Sequence, residues 1–541
     1  MRRGSSALVG CLLLGVAGGG CAGEGASIAL EAIQPSALDA HLRFLSSDLL
    51  QGRAPGTPGS ETAASYIAMQ FRLAGLTPGI GDTSYFQPVP LIARTAFAVL
   101  SFRAPGGAAY SPDARLESVV WSKDTAQVSS VDVELVFVGY GVVAPEYEWD
   151  DYKEVDVQGK TLLLLAGDPG GHVPGRFRGD TATYYASADY KFAEAARRGA
   201  LGALLVHSPE LPYGWDAIHG VRAGEQVTLD RERADSAPRY SGWLIQGAAE
   251  QVVSMAGLDF ATLLESARSA KFRPIVTDMR VSASVRNEVR QLAAANVVGS
   301  VPGNDPELAR EFVIITAHYD HLGVGEPVDS DSIYNGAYDN ASGTALLLCL
   351  ADAFARLRPG PDRSVLFLAL TAEEPGLLGS RAFIQSPLVP LASIAANVNI
   401  DGVNLWGPTE DIVVLGTEYS TLRSAARHAA AEEGLRLEGD RSPEQGYLYR
   451  SDQFAFMRAG VPSVLVGHGL DFIGRMPGWG EQILAEYIRT GYHRPSDEYR
   501  ADFDLRGAVQ QGRAAFRLAL WAANTPARPA WSGESGFVDL R

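Results

Sequence analysis

The residue types that could carry chemistry are concentrated in five short motifs, four of which lie between Ala317 and Asp401. The motifs read AHYDH (317–321), GAYDNASG (336–343), TAEE (371–374), NID (399–401) and, further along, YHRPSDE (492–498). Imidazole and carboxylate groups are the side chains that bind divalent metals such as zinc. Several motifs follow a short apolar run directly, as residues at the end of a buried strand do. The pattern therefore predicts a two-metal hydrolase whose ligands lie at one edge of a sheet.

Two of the motifs place their polar residues directly after a predicted strand. His318 follows the run FVIITA, and Asp320 is two residues further on, where its carboxylate could hold the second imidazole nitrogen of His318. Glu373 and Glu374 are neighbours after the run VLFLAL. Because adjacent side chains of an extended chain point in opposite directions, one glutamate could bind a metal while the other faces the substrate.

The other three candidates are Asp339 in a glycine-containing loop, Asp401 after the strand NVNI, and His493 in a late loop. A single aspartate at a strand end is more often a helix cap or a turn residue. Here such residues recur at several strand ends of one sheet. Three carboxylates and a hydroxide would balance the charge of two Zn²⁺, which a partly buried site requires. Glu373 would then remain as a free carboxylate, the position of a general base.

The elements that must position these residues alternate between strand and helix. Apolar strands FVIITA, VLFLAL, NVNI, VVLG and PSVLVG are separated by helical patterns at about 343–357, near Ser380 and at about 421–433. Strands that are apolar throughout and alternate with helices predict an α/β fold with a mostly parallel central sheet flanked by helices. Ligands in such folds bind at the carboxyl ends of the strands.

The motifs HYDH, GAYDNASG, TAEEPGLLGS, NID and YHRPSDE resemble those of the co-catalytic zinc aminopeptidases of metallopeptidase family twenty-eight. The resemblance covers roughly Ala37 to Ala523. That family also contains carboxypeptidases of the glutamate-releasing type, and glutaminyl cyclases are related to it. The resemblance implies two Zn²⁺ per chain, one held by His318, Asp339 and Asp401 and the other by Asp339, Glu374 and His493, with Asp339 bridging the two metals.

The resemblance also implies catalytic roles for two further residues. Glu373 matches the general base that accepts a proton from a water between the metals. Tyr492 matches a tyrosine whose hydroxyl supports the oxyanion, although a packed aromatic ring is an equally good interpretation. His321 is not expected to bind a metal directly. Ser451 and Asp452 are expected to cap a helix or to line the cleft, and His468 is expected to have no role in the site.

The N-terminus is typical of a secretory signal. Arg2 and Arg3 precede an apolar run that ends in small residues before Cys21. We predict a signal peptide over 1–21, an exported protein, and lipid attachment at Cys21 in the periplasm or at the outer membrane, with simple cleavage and release as the alternative. The remaining cysteine, Cys349, is expected to be a buried apolar residue.

The length of 541 residues predicts more than one domain. We expect the N-terminal part of the catalytic domain at 28–122 and the main catalytic part at 285–525, followed by a loose tail at 526–541. Between them, 123–284 resembles an inserted β-rich α/β protease-associated domain with a following helical stretch. The segment LDFIGRMPGWGEQILAEYIRTG (470–491) is expected to be a loop that overhangs the cleft.

Composition and missing motifs exclude other classes of protein. The net charge is -17 and no long basic run is present, so nucleic acid is not an expected partner. The sequence contains neither HExxH nor G-x-S-x-G, which excludes a zincin and a serine hydrolase of the elbow type. The predicted function is a di-zinc aminopeptidase acting on peptides or proteins. A glutamate-releasing carboxypeptidase and a non-catalytic binding protein remain as alternatives.

Overall fold

The computed structural model describes residues 26–79, 83–123, 128–173, 177–211, 214–230 and 237–532. The predicted signal peptide, Cys21 and most of the predicted tail lie outside the described residues. The helices are α1 (Pro35–Leu45), α2 (Pro58–Ala74), α3 (Ala188–Arg197), α4 (Trp215–Ala223), α5 (Gln246–Met255), α6 (Phe260–Ala267), α7 (Gly343–Arg356), α8 (Leu378–Gln385), α9 (Leu422–Glu432), α10 (Gln453–Arg458), α11 (Trp479–Thr490) and α12 (Arg506–Asn524).

Most strands belong to one mixed sheet, and two short hairpins stand apart from it. The strands are β1 (Thr77–Pro78), β2 (Phe86–Arg103), β3 (Ala109–Tyr110), β4 (Ser118–Trp121), β5 (Val128–Phe137), β6 (Val143–Ala144), β7 (Trp149–Asp150), β8 (Thr161–Leu165), β9 (Gly202–His207), β10 (Gln226–Leu229), β11 (Tyr240–Ile245), β12 (Ile275–Val301), β13 (Phe312–His318), β14 (Gly323–Val328), β15 (Asp331–Tyr334), β16 (Ser364–Leu370), β17 (Ile394–Asn399), β18 (Asp411–Leu415), β19 (Arg436–Glu438) and β20 (Ser463–Val466).

The part of the sheet that carries the predicted motifs is parallel. Strand β13 lies between β16 and β17, and β20 continues on the far side of β17, all in the same direction. Every residue of β16, β17 and β20 is buried. Alternate side chains pack on opposite faces, with Val365 and Phe367 against α2, α7 and α12, and Leu366 and Leu368 against α8 and α10. This part of the sheet has the predicted α/β architecture.

Two unusually long strands join this layer to the inserted part of the chain. Strands β2 and β12 pair antiparallel from Arg103 and Arg280 to Phe86 and Val297. At its C-terminal end β12 also pairs with β16, and at its N-terminal end it pairs with β5 of the insert. The interpretation of the end of 123–284 as a helical stretch is wrong from Ile275 onward, because β12 begins there. Alternating burial along β12 shows the two-residue period of a strand, which that interpretation overlooked.

In the insert, apolar layers cover the part of this sheet that is formed by β4, β5, β8, β9 and β11. Strands β5, β8, β9 and β11 are parallel, whereas β4 pairs antiparallel with β11. Residues 118–121 therefore lie in the sheet of the insert, N-terminal to the boundary expected at 123. The insert's resemblance to a protease-associated domain stays a prediction. None of the helices in the described ranges has the length and apolar character needed to cross a bilayer.

The segment 470–491 contains a helix where a loop was predicted. Helix α11 occupies Trp479–Thr490 and follows Gly478, whose φ of 81° is left-handed. Ile483 and Tyr487 recur at four-residue spacing after Trp479, which is the period of a helix that packs on one side. The glycines and proline before Trp479 obscured that pattern in the sequence. Cys349, in contrast, is buried in α7 as expected.

Candidate metal centre

The parallel strands bring the predicted motifs to one edge of the sheet. His318 is the last residue of β13, Glu373 follows the end of β16, and Asp401 follows the end of β17. Asp339 approaches from a turn at Ala337–Ser342 that leads into α7 and joins Asn340 through a cis peptide bond. Carboxyl ends of neighbouring parallel strands meet at one edge, so these side chains converge there.

Asp339 stands between two histidines. Its Oδ1 lies 3.4 Å from His318 Nε2, and its Oδ2 lies 3.3 Å from His493 Nε2. His318 Nε2 is also 3.3 Å from Asp401 Oδ1, and His493 Nε2 is 3.1 Å from Glu374 Oε2. Ligand atoms at zinc–ligand distances of about 2.0–2.1 Å in a tetrahedron are about 3.3 Å apart. The spacings fit two metal positions that share Asp339, with the ligand sets that the resemblance implies.

Two further residues lie close enough to be considered as ligands. His321 lies near Asp339 and Glu374, and Glu373 lies near His318 and Asp401. However, His321 Nδ1 is only 2.6 Å from Glu374 Oε1, which is the length of a hydrogen bond rather than of a ligand–ligand edge. Glu373 Oε2 is 4.0 Å from His318 Nε2, longer than such an edge. The geometry thus favours His493 over His321 as a ligand and leaves Glu373 free.

The electrostatics of the site suit a bound cation. Burial alone would lower the pKa of His493, but the carboxylates of Glu374 and Asp339 raise it to about 10. Burial likewise opposes a charge on His318, yet Glu373 and Asp401 hold the pKa of His318 well above its usual value. Without a metal, the carboxylates therefore favour the protonated forms of His318 and His493, and a bound metal would displace those protons. The mixture of imidazole and carboxylate donors fits zinc.

Asp320 supports the site mainly through backbone groups. Its Oδ1 accepts a hydrogen bond from the Glu373 amide at 3.1 Å, and its Oδ2 accepts one from the Glu374 amide at 3.4 Å. The ring of His318 was expected to bind the Asp320 carboxylate. Instead, His318 Nδ1 lies 3.2 Å from the backbone carbonyl of Asp320 and 3.7 Å from its Oδ1. The carboxylate thus holds the glutamate turn, and the carbonyl faces the imidazole.

The sequence analysis missed two residues that hold the turn around Asp339. Asp497 accepts hydrogen bonds from the amides of Tyr338 at 2.9 Å and Asp339 at 3.1 Å. Asn340 donates to the carbonyl of Ile400 at 3.0 Å and accepts from the amide of Gly402 at 2.9 Å. Both residues lie within the quoted motifs GAYDNASG and YHRPSDE, but no role was predicted for them.

Tyr492 lies beside the second predicted metal position. Its ring stacks on His493 with centroids 3.9 Å apart and an interplanar angle of 21°. Burial raises the pKa of Tyr492 well above its usual value, which keeps its hydroxyl protonated and able to donate. The stacking is equally compatible with a packing role.

The remaining candidates occupy structural positions around the centre. Ser451 Oγ accepts a hydrogen bond from Asn399 Nδ2 at 2.8 Å. Asp452 is fully buried, and this burial raises its pKa to about 7. His468 Nε2 lies 3.1 Å from the hydroxyl of Tyr338, next to Asp339 in sequence. Neither Asp452 nor His468 belongs to a group of possible metal ligands among the described residues.

Residues 296–518 match the family model for Peptidase family M28. The chain carries a domain of peptidase family M28. The matched region contains every predicted metal ligand, and it begins at the end of β12 that pairs with β16. It leaves out α1, α2, β2 and the insert.

Curated relatives match this chain over only part of their length. Leupeptin-inactivating enzyme 1 of Streptomyces exfoliatus is 26% identical over 246 residues, which are 44% of this chain and 51% of that protein. Aminopeptidase YwaD of Bacillus subtilis strain 168 is 30% identical over 191 residues, 35% of this chain and 36% of that one. The chain thus spans about half or less of the curated relatives it matches.

A solved structure shares the fold over nearly the whole chain. The aminopeptidase from Aneurinibacillus sp. strain AM-1 aligns with a TM-score of 0.51 and 19% identity, covering 93% of this chain and 97% of that one. The α/β fold with its mostly parallel site-bearing layer is therefore confirmed.

Proposed function

We propose that this protein is a di-zinc exopeptidase that removes N-terminal residues from peptides. One observation carries the proposal: the two oxygens of Asp339 face different histidines at 3.3–3.4 Å. A carboxylate bound in this way can bridge two metals, whereas a structural aspartate needs no second histidine. The similarity to a relative that is named an aminopeptidase supports cleavage at the N-terminal end of the substrate.

The side chains around Asp339 divide the reaction between them. Bound zinc would polarise the scissile carbonyl and lower the pKa of the attacking water. Glu373 is almost fully buried, and its amide is fixed by Asp320. It would take a proton from the water and deliver it to the leaving amine. Tyr492 would donate its hydroxyl hydrogen to the developing oxyanion.

The assignment of Glu373 is tested with Glu373→Gln, which keeps the shape of the side chain. General acid–base groups contribute about 10²–10⁴-fold to rate, so turnover of aminoacyl chromogenic substrates should fall by that factor. Zinc content measured by atomic emission should stay at the wild-type value. Glu265→Gln, an exposed glutamate of the insert, is the control and should change neither quantity. Wild-type turnover in Glu373→Gln would reject the base.

The bridge is tested with Asp339→Ala. Because each proposed metal position would be held in part by Asp339, whose two oxygens face different histidines, the variant should lose both zinc ions and all metal-dependent turnover. A folded variant that retains two zinc ions per chain would reject the bridging role. If the wild-type protein binds no zinc, the alternative hypothesis of a non-catalytic binding protein would be favoured.

The substrate end is tested with two series of peptides. An aminopeptidase should cleave peptides blocked at the C-terminus and spare those blocked at the N-terminus. The reverse result would establish the glutamate-releasing carboxypeptidase alternative.

We also propose that the protein is exported and anchored through a lipid on Cys21. The basic residues, the apolar run and the small residues before Cys21 support this proposal. Cys21→Ser should move the protein from the membrane fraction to the soluble exported fraction. Unchanged fractionation, with an unmodified N-terminus in mass spectrometry, would favour simple cleavage.

A further inference from the structure

Arg53 lies outside the matched M28 domain, in the loop between α1 and α2, and its side chain is fully buried. Three consecutive residues, Gln51, Gly52 and Arg53, have left-handed φ values of 47°, 67° and 53°. A Cβ on Gly52 would lie 2.4 Å from the carbonyl oxygen of Tyr334, so the loop packs directly on the backbone before Asp339. From this tight turn the guanidinium reaches the backbone beside the proposed metal ligands.

The guanidinium of Arg53 donates four hydrogen bonds, all to backbone carbonyls. Nε donates to Tyr319 at 2.7 Å, and Nη1 donates to Leu45 at 2.5 Å and Asn335 at 2.7 Å. Nη2 donates to Gly336 at 3.1 Å. One side chain thus connects the end of α1 with two loops of the catalytic layer.

Those two loops carry the residues on which the metal centre depends. Tyr319 lies between His318 and Asp320, and Gly336 is three residues before Asp339. Arg53 therefore fixes the backbone beside a predicted ligand of the first metal and beside the bridging carboxylate. A planar fork of five N–H donors can span acceptors from separate segments, whereas the single ammonium of a lysine cannot.

The charge and the geometry of Arg53 have opposite effects on a metal. Burial lowers the pKa of Arg53 to about 10, and the nearby carboxylates of Asp320, Asp497 and Asp339 favour its charged form, so it stays positive near neutral pH. A positive charge repels a cation, and its removal alone would strengthen metal binding. Loss of the four hydrogen bonds would loosen the ligand loops and weaken metal binding. Because Arg53 makes four hydrogen bonds to carbonyl groups, we expect the weakening of metal binding to be the larger of the two effects.

We propose that Arg53 is a positioning residue of the metal centre, which fixes the loops of His318 and Asp339 by binding their backbone carbonyls. The inference rests on the proposed di-zinc site. It assigns part of that site to a segment 266 residues before Tyr319, outside the region matched by the family model.

The test compares zinc affinity in the full-length chain for wild type, Arg53→Lys and Arg53→Ala, by competition with a chromophoric chelator. Changes to residues that orient metal ligands commonly weaken metal binding about 10–100-fold, and we expect a loss of that size in both variants. Guanidinium at millimolar concentration should restore part of the affinity of Arg53→Ala, whereas methylammonium should not. The visible spectrum of the Co²⁺-substituted protein should also change in Arg53→Lys, because its ligands would be displaced.

Arg363→Lys is the matched control. Arg363 is also fully buried, and it binds the carbonyls of Ala522 and Thr525 and the Glu311 carboxylate at the opposite end of β16. Its substitution should lower stability in the presence of chelator but leave zinc affinity and the Co²⁺ spectrum unchanged. The comparison separates a loss of metal ligation from a general loss of stability.

Each result decides the role of Arg53. Wild-type zinc affinity in folded Arg53→Lys would overturn the inference, as would an equal loss of affinity in Arg363→Lys. If Arg53→Ala is not recovered folded, the comparison of Arg53→Lys with Arg363→Lys decides alone. A wild-type chain that binds no zinc would overturn the proposed function and, with it, the metal role of Arg53. If wild type and Arg53→Lys bind zinc with equal affinity, only the proposed role of Arg53 is overturned.

Discussion

Asp320→Asn tests how the glutamate turn is held, because the substitution preserves the shape of the side chain and changes only its hydrogen bonding. Asp320 is fully buried and accepts the amides of Glu373 and Glu374 on its two oxygens. An asparagine offers one oxygen and one NH₂ group in the same place. One of the two amides would then face another donor and lose its acceptor.

The expected cost follows from that single lost acceptor. A buried donor left unsatisfied costs about 1–3 kcal/mol, so the free energy of unfolding in the presence of chelator should fall by about that amount. The turn that carries Glu373 and Glu374 should also loosen. We therefore expect weaker zinc binding by about 10–100-fold and slower turnover. Urea unfolding with and without zinc, chelator competition and steady-state kinetics measure the three effects.

Asp411→Asn is the matched control for this experiment. Asp411 is also fully buried and accepts hydrogen bonds from two backbone amides, Leu470 at 3.2 Å and Asp471 at 2.8 Å, and from Arg441 at 2.9 Å. Because the variant also loses its ion pair with Arg441, its stability should fall by at least as much, with unchanged zinc affinity. If Asp320→Asn keeps wild-type zinc affinity and turnover, the turn is not held by Asp320. If Asp411→Asn loses zinc equally, the effect is general destabilisation.

Four further substitutions probe other parts of the molecule. Phe367→Ala, in the fully buried strand β16, should lower the free energy of unfolding by about 3–5 kcal/mol in urea; a loss below 1 kcal/mol would contradict the packing described. Gly336→Ala should abolish zinc binding, because its Cβ would lie 2.2 Å from the Asp339 carbonyl oxygen; full zinc content would contradict the tight turn. His321→Ala should weaken zinc binding about 10–100-fold through the lost bond to Glu374, and its removal of one entire zinc ion would identify it as a ligand. Burial lowers the pKa of Lys191 from 10.5 to about 8, so wild type should gain stability as the pH rises between these values, and Lys191→Met should show no such gain in urea unfolding.

The strands and helices that deliver the site were predictable because their sequences are strongly patterned. The runs FVIITA and VLFLAL are apolar throughout, and they form the buried strands β13 and β16. The helix expected at about 343–357 is observed at Gly343–Arg356. Residues at the carboxyl ends of neighbouring parallel strands lie at one edge of the sheet, independently of how the rest of the chain folds. The convergence of His318 and Asp401 therefore required only the strand assignment.

The parts that were not predictable depend on contacts that leave little mark on a sequence. Arg53 binds carbonyl oxygens, which every residue possesses, so nothing in the sequence of its partners indicates the contact. The distribution of hydrogen bonds around Asp320 likewise depends on distances of a few tenths of an ångström. Strand β12 was missed for a different reason, since its two-residue period breaks at 288–291, where four consecutive residues are exposed.

The paired strands β2 and β12 place the two ends of the insert side by side. The chain enters the insert along β2 and returns along β12, so the two crossing points are hydrogen-bonded neighbours, as Ala96 and Asn287 are. A tight hairpin turn placed between such a pair would excise about 190 residues without breaking the order of the site-bearing strands. Evolution could gain or exchange the same module through a single insertion in a hairpin. An engineer could graft a foreign binding domain there by the same route.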